Sequence, residues 1–190
     1  MKFTRLPITD LIICEPKVFA DERGYFTETF RQDKLESFLG FKINFCQDNE
    51  SKSSYGVLRG LHYQLPPNAQ TKLIRVVEGN ILDVAVDIRK DSSTFGRYAA
   101  VELSSANKKQ LLVPRGFAHG FVVLSREAIV SYKVDNFYNS ESDRGIAYND
   151  IEIGIDWCLN PNDISLSNKD LNHPMLRNAE YFTNPSILYE

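Results

Sequence analysis

The chain is poor in cysteine, in long apolar runs and in net positive charge, and each shortage removes a class of function. Cys14, Cys46 and Cys158 are the only cysteines, widely spaced and odd in number. They do not read as a disulfide framework, and reduced thiols of a cytoplasmic protein are expected. With no C-x-x-C pair a zinc knuckle is not expected either, and each thiol reads as a buried packing residue. No stretch approaches the roughly 18 apolar residues of a membrane helix. The apolar run near the N-terminus is short and flanked by Asp10 and Glu15, so neither a signal peptide nor a membrane anchor is expected. Lys and Arg number 22 against 25 Asp and Glu, a net charge of −3. That balance leaves no general electrostatic footprint for nucleic acid. A small anionic ligand needs only a local basic cluster and stays open.

What is there is ordinary in bulk and specific in order. Hydrophobic residues make up 43% and charged residues 25% of 190 positions, which suits one domain over residues 1–190 with a full core. Leu73–Val77, Ile81–Ile88, Ala99–Leu103, Leu111–Val113, Gly120–Leu124 and Ala128–Tyr132 are β-branched or alternating runs separated by turn residues. Many short strands at regular spacing predict an all-β, antiparallel barrel or jelly roll. Helical signal is confined to Gln32–Leu39, with Gly40 as a stop, and to a turn over Ser167–Leu171. In ILDVAVDI, Asp83, Ala85 and Asp87 share one strand face. The two carboxylates read as a solvated face or as partners of a nearby cation such as Arg75 or Arg89.

The segments that carry chemistry are GVLRGLHYQLPPNAQTKLIRVVEG, Gly56 to Gly79, and PRGFAH, Pro114 to His119. Their spacing resembles the two motifs of the cupin superfamily, a jelly-roll barrel. Metal-binding cupins place two histidines one residue apart, then a glutamate ahead of a glycine, and a further histidine in PxGxxH. Here His62 and His119 stand in place, Gln64 replaces the second histidine, and Lys72 takes the glutamate position, seven residues before Gly79. An ammonium has no lone pair for a metal and repels a cation, so a metal-free site is expected. A histidine beside a lysine suits proton abstraction next to a carbonyl. Histidine has the right intrinsic pKa for the base, and the lysine charge can stabilise the enolate oxygen.

Over nearly its whole length the sequence resembles the dTDP-4-dehydrorhamnose 3,5-epimerase family. The resemblance runs through FADERGYFTETF (Phe19–Phe30), QDNES (Gln47–Ser51), VLRGLHYQ (Val57–Gln64), QTKLIR (Gln70–Arg75) and DVAVDIR (Asp83–Arg89). It continues through SSTFG (Ser92–Gly96), PRGFAHGF (Pro114–Phe121), Tyr132-Lys133 and LSNKD (Leu166–Asp170). It implies a cofactor-free enzyme acting on a dTDP-linked 4-keto-6-deoxy sugar, with His62 as base and Asp170 as its paired carboxylate. By the same resemblance Tyr132 is the acid on the opposite face and Lys72 the stabiliser of the enolate. Arg23, Phe26, Glu28, Gln47, Asp48, Asn49, Arg59, His119, Asp143 and Lys169 match substrate-contacting positions. Asp143 departs from the family's usual glutamate by one methylene. Homodimers in which an N-terminal strand crosses to the partner barrel are also implied.

Three other readings compete. A single-centre epimerase, acting at C3 or C5 alone, would keep the same residues. A non-catalytic sugar-binding cupin would be expected to lose the base, the acid or the lysine. A metal-dependent cupin is opposed by Gln64 and Lys72. His173, in LNHPM, reads as a surface residue, and the aromatic-rich Asn178–Glu190 segment as a packing element against the barrel or a partner subunit.

Overall fold

Short β-branched runs between turn residues form thirteen strands in the computed structural model, which describes residues 1–183 and 189. The strands β1 (Lys2–Arg5), β2 (Ile12–Glu15), β3 (Val18–Asp21) and β4 (Gly24–Thr27) precede a two-turn helix, α1 (Gln32–Leu39). Next come β5 (Gln47–Ser54), β6 (Leu58–Gln64), β7 (Lys72–Glu78), β8 (Asn80–Asp87) and β9 (Tyr98–Ser104). They are followed by β10 (Gln110–Val113), β11 (Phe117–Val123), β12 (Glu127–Val134) and β13 (Asp143–Gly145), and then by a single helical turn, α2 (Asn168–Leu171).

Two antiparallel sheets result, ordered β1-β2-β10-β7-β12-β5 and β13-β6-β11-β8-β9, while β3 and β4 form a separate hairpin. Inward-facing side chains of both sheets, among them Ile74, Val76, Ile81, Leu103, Leu111 and Phe121, make one shared core. This is the expected jelly-roll arrangement.

The outer face of the five-stranded sheet is buried as well. Val84, Val86, Val122 and Ile146 pack there against Trp157, Leu176 and Phe182 of the long C-terminal segment. On the other sheet, α1 lays Leu35 over Ile12, Leu73 and Leu112. Each fully buried Leu or Ile stabilises by about 1.5–3 kcal/mol. Helix α1 ends where the sequence predicts, at Gly40, whose φ of 82° allows its N–H to reach the Glu36 carbonyl.

Coverage on both faces corrects the reading of β8. Asp83 and Asp87 lie on no solvated face; both are fully buried, because Ile81 and Ala85 beside them face the core between the sheets. Asp87 has the cation partner expected of it, Arg89, with further hydrogen bonds from Ser92 and Thr94. Burial opposes ionisation of Asp87, but those donors outweigh it and hold the carboxyl below its usual range. Asp83 pairs with His119 rather than with Arg75.

The thiols need correction too: Cys14 is buried, but Cys46 and Cys158 are exposed. Cys46 precedes β5 in a loop, and Cys158 sits at a φ of 56° in a turn held by Asp156. Of the C-terminal segment, Phe182 joins the core and the Tyr189 ring packs at a tilt against Phe41; residues 184–188 and 190 lie outside the described part.

Candidate active site

Strand alternation aims one set of polar side chains into the space between the sheets. On β6, Leu61 and Tyr63 belong to the outer core, so His62 and Gln64 face inward. On β7, Leu73 packs outward under α1 and Ile74 inward, which turns Lys72 inward with Ile74. Tyr132 packs against the same inner core from β12. At this end of the barrel a cavity of about 390 Å³ is lined by His62, Lys72, Tyr132, Gln47, Asn49, Asp143 and Lys169, together with Gln64, Gln70, Tyr63 and Tyr138.

His62 is held from the side by α2. Its Nε2 lies 2.5 Å from Oδ1 of Asp170, whose side chain is only 5% exposed. The Ser167 hydroxyl caps the turn, accepting from the Asp170 backbone N–H at 3.1 Å and donating to Asp170 Oδ2 at 2.9 Å. Burial resists the charge on Asp170, but hydrogen bonds from His173, His62 and Ser167 hold its carboxyl well below the ordinary range.

An ionised Asp170 accepts, so Nε2 of His62 donates and Nδ1 keeps the free lone pair. Burial lowers the His62 pKa; Asp170 opposes that, and the charges of Lys72 and Lys169 add to it. The imidazole is therefore neutral at neutral pH and ready to accept a proton.

Lys72 is buried, 9% exposed, and donates to the His62 carbonyl at 3.2 Å. Burial pushes its pKa down to about 8 against the pull of Asp143 and Asp83. It is still largely protonated at neutral pH and available to a developing oxyanion. Burial raises the Tyr132 pKa, so its hydroxyl keeps its proton and can give one away. His62 stands on the five-stranded sheet and Tyr132 on the six-stranded sheet. A base and an acid thus face the cavity from opposite walls.

Not every residue singled out in the sequence reaches this cavity. Gln47 and Asn49 line it, joined to each other at 2.8 Å. Asp48 between them points to the other strand face and pairs with Lys133. Asp143 bonds Lys169 and accepts from the Tyr138 hydroxyl at 3.1 Å, both through Oδ2. Arg59 donates to Ser53 and lies outside the lining. His119 is buried in mid-strand on Asp83 and also lies outside it. Arg23, Phe26 and Glu28 also lie outside the lining: Arg23 pairs with Asp21, Phe26 is 66% exposed on the β3-β4 hairpin, and Glu28 pairs with Arg31.

His173 is not the surface residue that its sequence context suggests. Its side chain is 9% exposed, and Nε2 lies 3.4 Å from Asp170 Oδ1. It stands three residues beyond Asp170, just past the end of α2, and no sequence signal singled it out. His62, Asp170 and His173 bring three donor atoms within 4.8 Å of one another, a metal-like grouping by count. The charges around it disfavour a cation, because Lys72 and Lys169 both act on His62. Gln64, at the second cupin ligand position, is committed to backbone, donating to Asn68 and accepting from Asn139.

Comparison with known proteins agrees with this geometry. A family model described as dTDP-4-dehydrorhamnose 3,5-epimerase matches residues 5–178. The dTDP-4-dehydrorhamnose 3,5-epimerase of Shigella flexneri is 54% identical over 96% of this chain and 99% of its own. A crystal structure of a dTDP-6-deoxy-D-glucose-3,5-epimerase from Legionella pneumophila, in complex with dTDP-4-keto-L-rhamnose, superposes with a TM-score of 0.92. It is 44% identical and covers 96% of this chain and 98% of that one. A 3'-monoepimerase from Streptomyces bikiniensis, in complex with dTDP-quinovose, is more distant, at 32% identity and a TM-score of 0.84 over 91% and 87% of the two chains.

Proposed function

This chain belongs to the dTDP-4-dehydrorhamnose 3,5-epimerase family, and from that premise we propose that it epimerises dTDP-4-keto-6-deoxy-D-glucose at C3 and C5, giving dTDP-4-keto-L-rhamnose. The observation that carries this reading is the base–acid pair on opposite walls, His62 on Asp170 against Tyr132, with the Lys72 ammonium beside them. His62 removes the proton α to the C4 ketone through Nδ1, while Asp170 steadies the imidazolium that forms. The electron pair moves onto the C4 oxygen, where Lys72 stabilises the enolate. Tyr132 then delivers a proton to the same carbon from the other face, which inverts it. C3 and C5 are both α to one ketone, so the same four groups serve both centres.

Gln47, Asn49, Asp143 and Lys169 are the sugar-side contacts, supported by their place on the cavity wall. Metal-free chemistry is supported by the engagement of Gln64 with backbone and by Lys72 at the carboxylate position. Arg59 suits the pyrophosphate, and Arg23 and Phe26, on a hairpin outside the lining of this chain's own cavity, suit the pyrophosphate and base of a ligand held in a partner barrel, since guanidinium groups bind phosphate bidentately and an exposed ring can stack. A homodimer is supported by the hairpin that leaves Phe19, Tyr25 and Phe26 exposed, and a reducing, cytoplasmic setting by the free thiols. The whole chain then acts as one catalytic domain.

The test is NMR of dTDP-4-keto-6-deoxyglucose incubated with the protein in heavy water, beside His62→Ala. Deuterium at both C3 and C5, lost in the variant, is expected. Deuterium at one carbon makes the protein a single-centre epimerase, and no exchange removes this substrate.

A further inference from the structure

The base–carboxylate pair has a third member that the proposed chemistry does not use. The His173 side chain is buried, and its Nε2 makes no hydrogen bond; the oxygen it faces across an ion-pair distance is Asp170 Oδ1, at 3.4 Å. That oxygen is the one that receives His62 Nε2 at 2.5 Å. The two rings meet edge to face, with centroids 5.5 Å apart and planes at 79°. The backbone is shaped around the second ring. Gly145, paired with His62 in the β13–β6 register, lies so close that a Cβ there would sit 2.3–2.5 Å from three His173 ring atoms. The next residue, Pro174, is pinned to β13's continuation by the Ala147 N–H at 2.9 Å.

A buried, otherwise unpartnered ring nitrogen 3.4 Å from a carboxylate oxygen has one stable form. A lone pair at Nε2 would face the negative oxygen, whereas an N–H there is attracted to it. We propose that His173 is a positioning residue, donating Nε2–H to Asp170 Oδ1 so that one carboxylate oxygen serves two imidazoles and sets the orientation and basicity of His62. Ser167 satisfies the other oxygen, so the carboxylate cannot rotate without losing a donor. The low carboxyl pKa of Asp170 agrees with this, His173 being foremost among the hydrogen bonds that depress it.

The consequence for His62 has a definite sign. Asp170 stabilises protonated His62, and a second donor on the same oxygen draws off part of that attraction. Removing His173 therefore returns charge to His62 and raises its pKa. The other charged and titratable groups around the pair are Lys72 on β7, Lys169 beside Asp170 on α2, Asp143 on β13 and Tyr132 on β12, and none of them is altered by a change at position 173.

This proposal rests on the reading of His62 as the base, so its test is made on the free protein, without substrate. The chain has only three histidines, which makes each imidazole separable in nitrogen–proton correlation spectra. In the wild type, both His62 and His173 are expected as Nε2–H tautomers at neutral pH. His173→Leu removes the donor at similar volume. It should raise the His62 pKa by about half a pH unit, an about threefold change in the fraction of free base on the acid side. His173→Gln restores an N–H donor and should return the pKa towards wild type. An Nδ1–H tautomer at His173 overturns the proposal even if neither variant folds. So does a His62 pKa unchanged among the three proteins, which would leave His173 a packing residue. Loss of epimerisation with these tautomers intact would count against the proposed function alone.

Discussion

Lys72→Met separates what the lysine costs the fold from what it gives the reaction. The ammonium is buried, and its pKa falls from 10.5 to about 8, which corresponds to about 3 kcal/mol at about 1.4 kcal/mol per pKa step. That figure already includes the attraction of Asp143 and Asp83, which oppose the burial cost. The folded state has the lower pKa, so between pH 8 and 10.5 the unfolded chain binds more protons and wild-type stability rises with pH. Below the folded pKa the full cost is present. The Met variant is therefore expected to be more stable than wild type by about 3 kcal/mol at pH 7, the gap closing as pH climbs through that window. Its activity should move the other way. Without the charge beside the C4 oxygen the enolate loses its stabiliser, and kcat should fall by about 10²–10³-fold. Urea unfolding at pH 7 and pH 10, with deuterium exchange followed on the same samples, measures both. A variant less stable than wild type at pH 7, or one that exchanges at the wild-type rate, refutes the assignment.

Three further outcomes follow from the same geometry. Tyr132→Phe removes the acid but leaves base and enolate stabiliser in place, so deuterium should still enter α to the ketone, with retention, while inverted product falls by about 10²-fold or more; unchanged product formation would remove Tyr132 from the chemistry. Gly145→Ala drives a Cβ to within 2.3 Å of the His173 ring and should destabilise by about 1–3 kcal/mol in urea titration, a loss that His173→Ala in the same chain should largely relieve. Asp170→Asn tests linkage: a carboxyl held below its usual range stabilises above the unfolded pKa and loses that stabilisation as pH falls. Its deficit against wild type should be about 2 kcal/mol at pH 7 and shrink below about pH 4. A deficit independent of pH would mean that the charge plays no part.

Much of the fold was legible because its determinants are local. Gln32–Leu39 carries its own stop in Gly40, and the runs at Leu73, Ile81, Leu111 and Ala128 are bounded by residues that cannot continue a strand. Strand β8 shows where local pattern fails. Alternation of acids with Val and Ile reads as a half-solvated strand, yet the C-terminal segment covers one face and the opposite sheet the other. Whether a carboxylate meets water or Arg89 is decided by residues far along the chain. The same holds for Cys46 and Cys158, which the turn geometry leaves outside.

The site divides along the same line. His62 and Lys72 could be placed by the spacing of the cupin motifs, and Tyr132 by the family resemblance; the fold adds why the first two face the cavity, since Leu61 and Tyr63 turn His62 inward and Leu73 does so for Lys72. Asp170 and His173 lie on no such strand. Asp170 arrives on α2, one turn of helix, and His173 just beyond it, at a place set by long-range packing rather than by periodicity. The family resemblance alone named Asp170, as it did Tyr132, and nothing named His173, which read as a surface residue. What marks His173 is Gly145, a residue in another strand that leaves room for a ring and would fill that room with a single methyl group. A pairing of that kind, an absent side chain opposite a present one, is carried by two positions at once. Neither position is informative alone, which is why a buried positioning residue is among the last features a single sequence yields.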